Sequence, residues 1–344
     1  MPKALDTLYK LSTMYKGLSR FIFYTEQVEK LLTKARDQKD PAMWLFKNNA
    51  RTPFFMLEGL AKIYAGMHNA RKFGKLKVHF KLIEDGLGQI DYYNWLSVAI
   101  DSQKQISAEC KQFIRNQTVQ KAVQLKKVLE EEGWLADDNR RIKKINKKLN
   151  EASWLNPIKE VEAISNFYKT SIANITEFAG QTNYHFRNVE TDVHELRRRL
   201  RWLSIYPQAL QGVVQYAADS KTAASLEKYL TPGIVNSPFN KLPAAGRNTS
   251  FFLLYKNYFL ALSWMIEQLG ILKDEGLLLT GLCEAIKQST PCNDEEALEK
   301  AYSQLGQKQR RVQTILDNAE AITKTFFREK TLQHLIAGTT AASR

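Results

Sequence analysis

Residues 193–202 read Val193-His194-Glu195-Leu196-Arg197-Arg198-Arg199-Leu200-Arg201-Trp202, and their periodicity is helical. At roughly 100° of rotation per residue, Val193, Leu196, Leu200 and the following Leu203 fall on one arc that has to face a core. His194, Arg197, Arg198 and Arg201 share the adjoining arc of roughly 100°, and Arg199 points away from both. The cations therefore form a row beside the packed side of the helix, not opposite it. Guanidiniums held there by neighbouring helices offer paired N–H donors to phosphate oxygens, and a histidine at the end of the row adds another. The competing reading is an ordinary amphipathic helix whose arginines pair with Asp and Glu of the next helix. One acid, Glu195, stands nearby in the sequence.

Helical spacing recurs along the rest of the chain and sustained alternation is absent, so the predicted fold class is all-α. Residues 3–38 read as one long helix closed by Asp40-Pro41. Pro53 suits the first turn of the next helix, after a Thr52 cap, running to about His68. A helix over about 72–86 stops near Gly86-Leu87-Gly88, and another begins close to Asp91. Two helices fill 118–150 around Gly133, and Asn156-Pro157 starts one to about Phe178. A long helix then spans about Thr182 to Tyr206, ended by Pro207. The Pro- and Gly-rich stretch 231–249 reads as a loop. Helices near 250–269, 272–288, 293–317 and 319–336 follow, and the tail Gly338-Thr-Thr-Ala-Ala-Ser-Arg344 reads as frayed.

The balance of charge narrows the partners. Fifty Lys and Arg oppose 36 Asp and Glu, a formal net charge of +14. Such an excess concentrates phosphate polymers around the chain without selecting among nucleic acid, anionic membrane and inorganic phosphate chains. Cys110, Cys283 and Cys292 make an odd set without a CxxC pair, which argues against a disulfide framework or a thiolate zinc site and suits a reducing compartment. With no secretory layout at the N-terminus and no run of about 18 apolar residues, the expectation is a soluble, cytoplasmic protein without membrane insertion.

Two segments look alike. Residues 50–57 read Ala-Arg-Thr-Pro-Phe-Phe-Met-Leu and residues 246–253 read Gly-Arg-Asn-Thr-Ser-Phe-Phe-Leu. Each precedes an Ile-Glu pair, a Leu-Gly pair and an acid: Ile83-Glu84, Leu87-Gly88 and Asp91, then Ile266-Glu267, Leu269-Gly270 and Asp274. An internal duplication is one reading of this pattern.

The stretch from His194 resembles the signature of the CHAD domain family, all-helical modules of two four-helix repeats around a basic pore or channel. His194, Arg197 and Arg201 match the first three basic positions of the motif, while Trp202 and Ser204 stand at the next two. Leu87-Gly88 with Asp91 and Leu269-Gly270 with Asp274 resemble the later helix boundary of each repeat. In the first half Arg51 takes the place of the motif arginine, with Asn48 where the histidine would stand and Phe55, Met56 and Glu58 where bases would follow. The resemblance covers about residues 45–100 and 185–285. It implies two pseudo-repeated antiparallel helical bundles packed around a basic cleft, divided as residues 1–178 and 179–344 or joined in one continuous domain. It further implies non-catalytic binding of inorganic polyphosphate, with no cofactor.

Other basic runs are candidates on their own residues. In 140–148, Arg140, Lys143, Lys144 and Lys147 share one face and Ile142, Ile145 and Leu149 the other. This is either a solvated helix face or a phosphate-tracking stripe whose affinity falls steeply with salt. Arg71, Lys72, Lys75, Lys77 and Lys81 form a weaker group, and Lys308, Arg310 and Arg311 a weaker one still. No HExxH, no chelating histidine pair, no nucleotide-binding glycine loop and no nucleophile–base pair stands out, so the expectation is a protein that is not an enzyme and holds no metal. Candidate ligand-binding residues are His194, Arg197, Arg198, Arg201, Arg51, Lys143, Lys144 and Lys147. The alternatives are a non-specific nucleic-acid binder and a helical interaction scaffold without an anion site. CHAD modules also accompany triphosphate tunnel enzymes, so a separate phosphate-metabolising polypeptide is a further expected partner.

Overall fold

The computed structural model describes residues 16–218, 224–306 and 309–341. The first part of the helix expected over 3–38, the candidate Lys308 and the last three tail residues lie outside them. Helices dominate the described residues, in the order α1 (Lys16–Arg36), α2 (Pro41–Lys47), α3 (Arg51–Met67), α4 (Ala70–Asp101), α5 (Ala108–Glu131), α6 (Arg140–Asn150), α7 (Pro157–Gln181) and α8 (Glu195–Ala209). After β1 (Val214–Tyr216), a short α9 (Pro232–Asn236) and β2 (Ser250–Leu254) come α10 (Lys256–Ser289), α11 (Asp294–Leu305), α12 (Val312–Arg328) and β3 (Ile336–Ala341). No described helix is long and apolar enough to cross a membrane.

Local chemistry explains several starts. The Asp40, Ser107 and Asn156 side chains accept from the backbone N–H groups of Met43, Cys110 and Lys159, and Pro41 and Pro157 occupy positions where no intrahelical N–H is needed. Asn293 and Glu296 form a reciprocal capping box on α11. Thr52 does not cap α3: the helix already begins at Arg51, and the Thr52 hydroxyl bonds Asn49 Oδ1 at 2.9 Å instead.

Two expected helix breaks are absent. Helix α4 runs unbroken through Gly86 and Gly88, and α10 runs through Gly270. These glycines do not end helices; they let neighbours approach. A Cβ on Gly86 would stand 2.7 Å from Leu125 Cδ1, and one on Gly270 would stand 3.0 Å from Arg197 Nε. Pro207 likewise sits inside α8, which continues to Ala209. Proline cannot donate to the carbonyl four residues back, and the buried Tyr168 hydroxyl supplies that missing donor to Leu203 O at 3.0 Å.

The predominance of helix agrees with the all-α class, and a small sheet is added to it. Its order is β1-β2-β3, with β1 parallel to β2 (Val214↔Phe252) and β2 antiparallel to β3 (Phe252↔Thr339). Residues 250–254 and 336–341, where the periodicity predicts helix and tail, form β2 and β3. Burial alternates along Ser250–Leu254, but the outward Phe251 and Leu253 are also apolar, so the composition hides the period of two. Phe252 packs on Tyr168 of α7 with ring centroids 4.8 Å apart. The loop expected over 231–249 contains α9 and a single 3₁₀ turn, Pro238–Asn240. Residues 50–57 open a helix whereas 246–253 form a turn and a strand, so these two look-alike segments are not structural equivalents.

Gly212 introduces the sheet with φ of +82°, and an added Cβ would stand 2.0 Å from the Ala244 carbonyl oxygen. Both the left-handed backbone and the backbone contact forbid a side chain. Gly212→Ala is expected to lower stability by about 2–3 kcal/mol in urea denaturation; a loss below about 0.5 kcal/mol would refute this account of the turn.

Candidate functional site

The approach to α8 is tightly built. The Asn188 side chain accepts from Glu190 N and Thr191 N, and the Asp192 carboxylate accepts from Arg187 N and Asn188 N. A π-helical turn, Val189–His194, then feeds directly into α8. Val189 presses against Gly276 of α10, where a Cβ would stand 2.5 Å from its Cγ1. Val193, Leu196, Leu200 and Leu203 are fully buried, as the periodicity requires.

The neighbouring cations divide into two kinds. His194 Nδ1 lies 3.0 Å from the Glu190 carboxylate, and Arg198 Nη2 lies 2.5 Å from Glu195 Oε2. Arg199 joins Glu195 at 2.7 Å and lies over the Phe178 ring at 4.2 Å. These three are matched by local acids. Arg197 is different: its Nε donates to the Ile266 carbonyl at 3.1 Å, and its guanidinium lies against Gly270. Burial lowers its pKa, with Asp274 pulling the other way from beyond ion-pair distance.

The Arg201 side chain has no hydrogen-bond or ion-pair partner among the described residues. Its guanidinium lies over the Phe55 ring at 5.0 Å. Burial pushes its pKa down to about 10, Arg197 and Arg51 add repulsion, and Glu84 and Asp91 offset part of it. Three arginines drawn from α3 and α8 therefore share one neighbourhood.

Arg51 is the matched member of that trio. Its Nε donates to Glu84 Oε1 and its Nη1 to Asp91 Oδ2, both at 2.7 Å, and its guanidinium lies against Gly88. Glu84 is buried, which raises its pKa against the opposing pull of Arg51. Arg51 and Arg197 are placed alike but held by different partners, two carboxylates for the first and a backbone carbonyl for the second. Each starts from near the beginning of a helix and lies across a glycine in the middle of a long one.

Residues that the sequence reading did not select line the same seam. Phe55 of α3 meets Trp202 of α8 with centroids 4.5 Å apart. Lys62 Nζ stands 3.4 Å from the Trp202 ring centroid and 2.8 Å from the Glu58 carboxylate. Burial lowers the Lys62 pKa to about 8, Glu58 raises it, and Lys81 and Lys77 lower it further. The Glu58–Lys62 spacing of four residues was the available signal. The Phe55–Trp202 contact had none, because it joins distant parts of the chain. Within this seam Phe55 and Trp202 contact each other, with Arg201 over the first ring and Lys62 over the second.

Helix α6 lies elsewhere. Ile142, Ile145 and Leu149 are buried, while Arg140, Lys143, Lys144 and Lys147 are exposed on the other side. The candidates of α6 are therefore not brought together with Arg51, Arg197 and Arg201. Two open hollows, of about 580 Å³ between α7 and the start of β3 and about 630 Å³ between α5 and the end of α10, are lined by none of the candidate cations. No family model matches the chain, and no curated protein and no solved structure matches it either.

Proposed function

We propose that the chain binds inorganic polyphosphate or a similar polyanion without catalysing a reaction, using Arg197 and Arg201 with Arg51 beside them. The observation that carries this reading is Arg201, a half-buried guanidinium without a protein acceptor among the described residues and beside two more arginines. A partly desolvated cation without a counter-charge is unfavourable. An anion placed among the three guanidiniums would remove that cost and accept several charge-assisted hydrogen bonds. His194 and Arg198 enter as outer contacts, since an arriving phosphate has to compete with Glu190 and Glu195 for them.

The two arginine–glycine placements support the pseudo-repeat as well. Arg51 on Gly88 with Asp91 at 2.7 Å, and Arg197 on Gly270 with Asp274 nearby, are versions of one construction. On this reading residues 1–178 and 179–344 are related halves, and the shared cation cluster between them stands for the basic cleft of a CHAD-like domain. A cytoplasmic setting and a separate phosphate-metabolising enzyme as partner belong to the same proposal.

The test is titration with polyphosphate of defined length, before and after Arg197→Glu with Arg201→Glu. A large loss is expected; equal binding by both proteins removes the site. The scaffold reading draws on the matched pairs His194–Glu190 and Arg198–Glu195 and expects no change.

Acid should strengthen binding. Glu84 faces Arg51, with Glu58, Asp85 and Arg201 in electrostatic range, and its raised pKa means that it takes up a proton earlier than an ordinary glutamate as pH falls. Protonation frees Arg51 from one of its two carboxylates. Polyphosphate affinity should therefore rise as pH falls through that titration, and Glu84→Gln should bind about 3–10-fold tighter at neutral pH with a flatter pH profile. A variant that binds more weakly, or keeps the wild-type profile, contradicts this role.

A further inference from the structure

We infer that the chain carries a second anion-binding face, on α6 and the first turns of α4, that takes the phosphate backbone of duplex nucleic acid. In the sequence the run at 140–148 and the group at 71–81 are separate. The fold joins part of them. Lys72 Nζ donates to the Glu151 carbonyl at the end of α6, and His79 lies within electrostatic range of Arg141 and Lys148. Arg71 and Lys75 of α4 are exposed, as are Arg140, Lys143, Lys144 and Lys147 of α6.

This face is distinct from the arginine cluster. At about 100° per residue, Lys72, Lys75 and His79 lie within roughly 60° of one another on α4, whereas Glu84, Gly88 and Asp91 point to the opposite side. Lys77 and Lys81 go with the latter. From Lys75 to Gly88 is also about 20 Å along the helix axis. One helix thus separates two cationic surfaces, and a variant on one leaves the other intact.

The acids near α6 sit at the ends of the row. Asp138 accepts from Arg140 N at the start, Glu132 pairs with Arg141, which is turned toward Trp134, and Glu151 lies 4.0 Å from Lys147 at the finish. Lys143 and Lys144, between them, have no ion pair among the described residues. Helix α6 is about 16 Å long, and the same length of duplex axis carries roughly nine phosphates.

Duplex is favoured over single strand because strand binders stack bases on exposed rings, and α6 has no aromatic residue while Phe73 is buried. Duplex is favoured over a bilayer because the apolar side chains of α6 are all buried, leaving nothing in the row to enter the lipid. Val78 and Leu82 are exposed at the border of the α4 part, so vesicles belong in the test.

The experiment measures fluorescence anisotropy of the full chain with a blunt 20-base-pair duplex, a single strand of one of its sequences, labelled polyphosphate, and vesicles of phosphatidylcholine with phosphatidylserine. Lys143→Glu with Lys144→Glu should weaken duplex binding at least about tenfold and reduce the salt slope by about 2. The same protein should keep its polyphosphate affinity, and Arg197→Glu with Arg201→Glu should keep the duplex affinity. Circular dichroism confirms the helices of each variant, whose changed side chains at 143 and 144 are exposed. No duplex binding, duplex binding lost through Arg197 and Arg201 instead, or preference for the single strand, polyphosphate or vesicles on the α6 face would each overturn the inference. Failure of polyphosphate to bind at the arginine cluster would leave this outcome unaffected.

Discussion

Arg197→Glu with Arg201→Glu should weaken polyphosphate binding about 100-fold or more, and Arg201→Met alone about tenfold. Each guanidinium offers charge-assisted hydrogen bonds worth about 1.5–3 kcal/mol apiece, and 100-fold corresponds to about 2.7 kcal/mol. Reversing the two charges also sets carboxylates against the ligand, so the loss should exceed simple truncation. The companion expectation concerns stability. The Arg201 side chain is half-buried, has no acceptor among the described residues, and stands beside Arg197 and Arg51. Methionine keeps the length and contact with Phe55 without the unpaired charge. Arg201→Met should therefore leave the folding free energy unchanged or raise it by about 1 kcal/mol. A site that weakens the fold and strengthens binding behaves this way, whereas a structural arginine loses both together. A destabilisation above about 1.5 kcal/mol with unaltered binding would assign Arg201 to the core.

Glu160→Ala should cost about 3–5 kcal/mol in urea denaturation, the largest stability loss expected of any single change considered. Arg20 and Glu160 form an ion pair of 3.0 Å with side chains 3% and 2% exposed. Arg20 Nη1 also donates to the Tyr64 hydroxyl at 3.0 Å, and that hydroxyl donates to Glu160. Burial opposes the Arg20 charge, but Tyr64 and Glu160 more than restore it, so its pKa stands above the ordinary arginine value. Gly17 completes the enclosure: a Cβ there would stand 2.6 Å from the Tyr64 hydroxyl and 2.7 Å from Trp154. Removing the carboxylate strands a buried guanidinium in a space that water does not enter freely. Replacing both partners, Arg20→Met with Glu160→Met, removes the stranded charge and should recover more than half of the loss. If Glu160→Ala costs under about 1 kcal/mol, the triad does not hold α1, α3 and α7 together.

Arg20 and Arg201 show that burial alone does not identify a functional arginine. Arg20 is fully enclosed and Arg201 is half-buried. The first has its carboxylate and phenol fixed by three helices, and the second has only an aromatic face. No local pattern distinguishes them, because the partners of Arg20 lie 44 and 140 positions away while those of Arg201 are missing.

Periodicity alone determined that the chain is mainly helical, the buried arc Val193, Leu196, Leu200 and Leu203, the row of cations beside it, and the exposed lysines of α6. These follow from the rise and rotation of a helix, which act within a few residues. Tertiary structure alone decided the rest. It turned Gly86, Gly88 and Gly270 from apparent helix ends into points of close approach, since a glycine ends a helix or admits a neighbour depending on what packs there. It kept Pro207 within α8 by bringing the Tyr168 hydroxyl to Leu203. It raised Ser250–Leu254 into a strand by giving it β1 and β3 as partners. Above all, it matched His194 and Arg198 with acids and left Arg201 unmatched, because the charge that a side chain meets is set by elements distant in sequence.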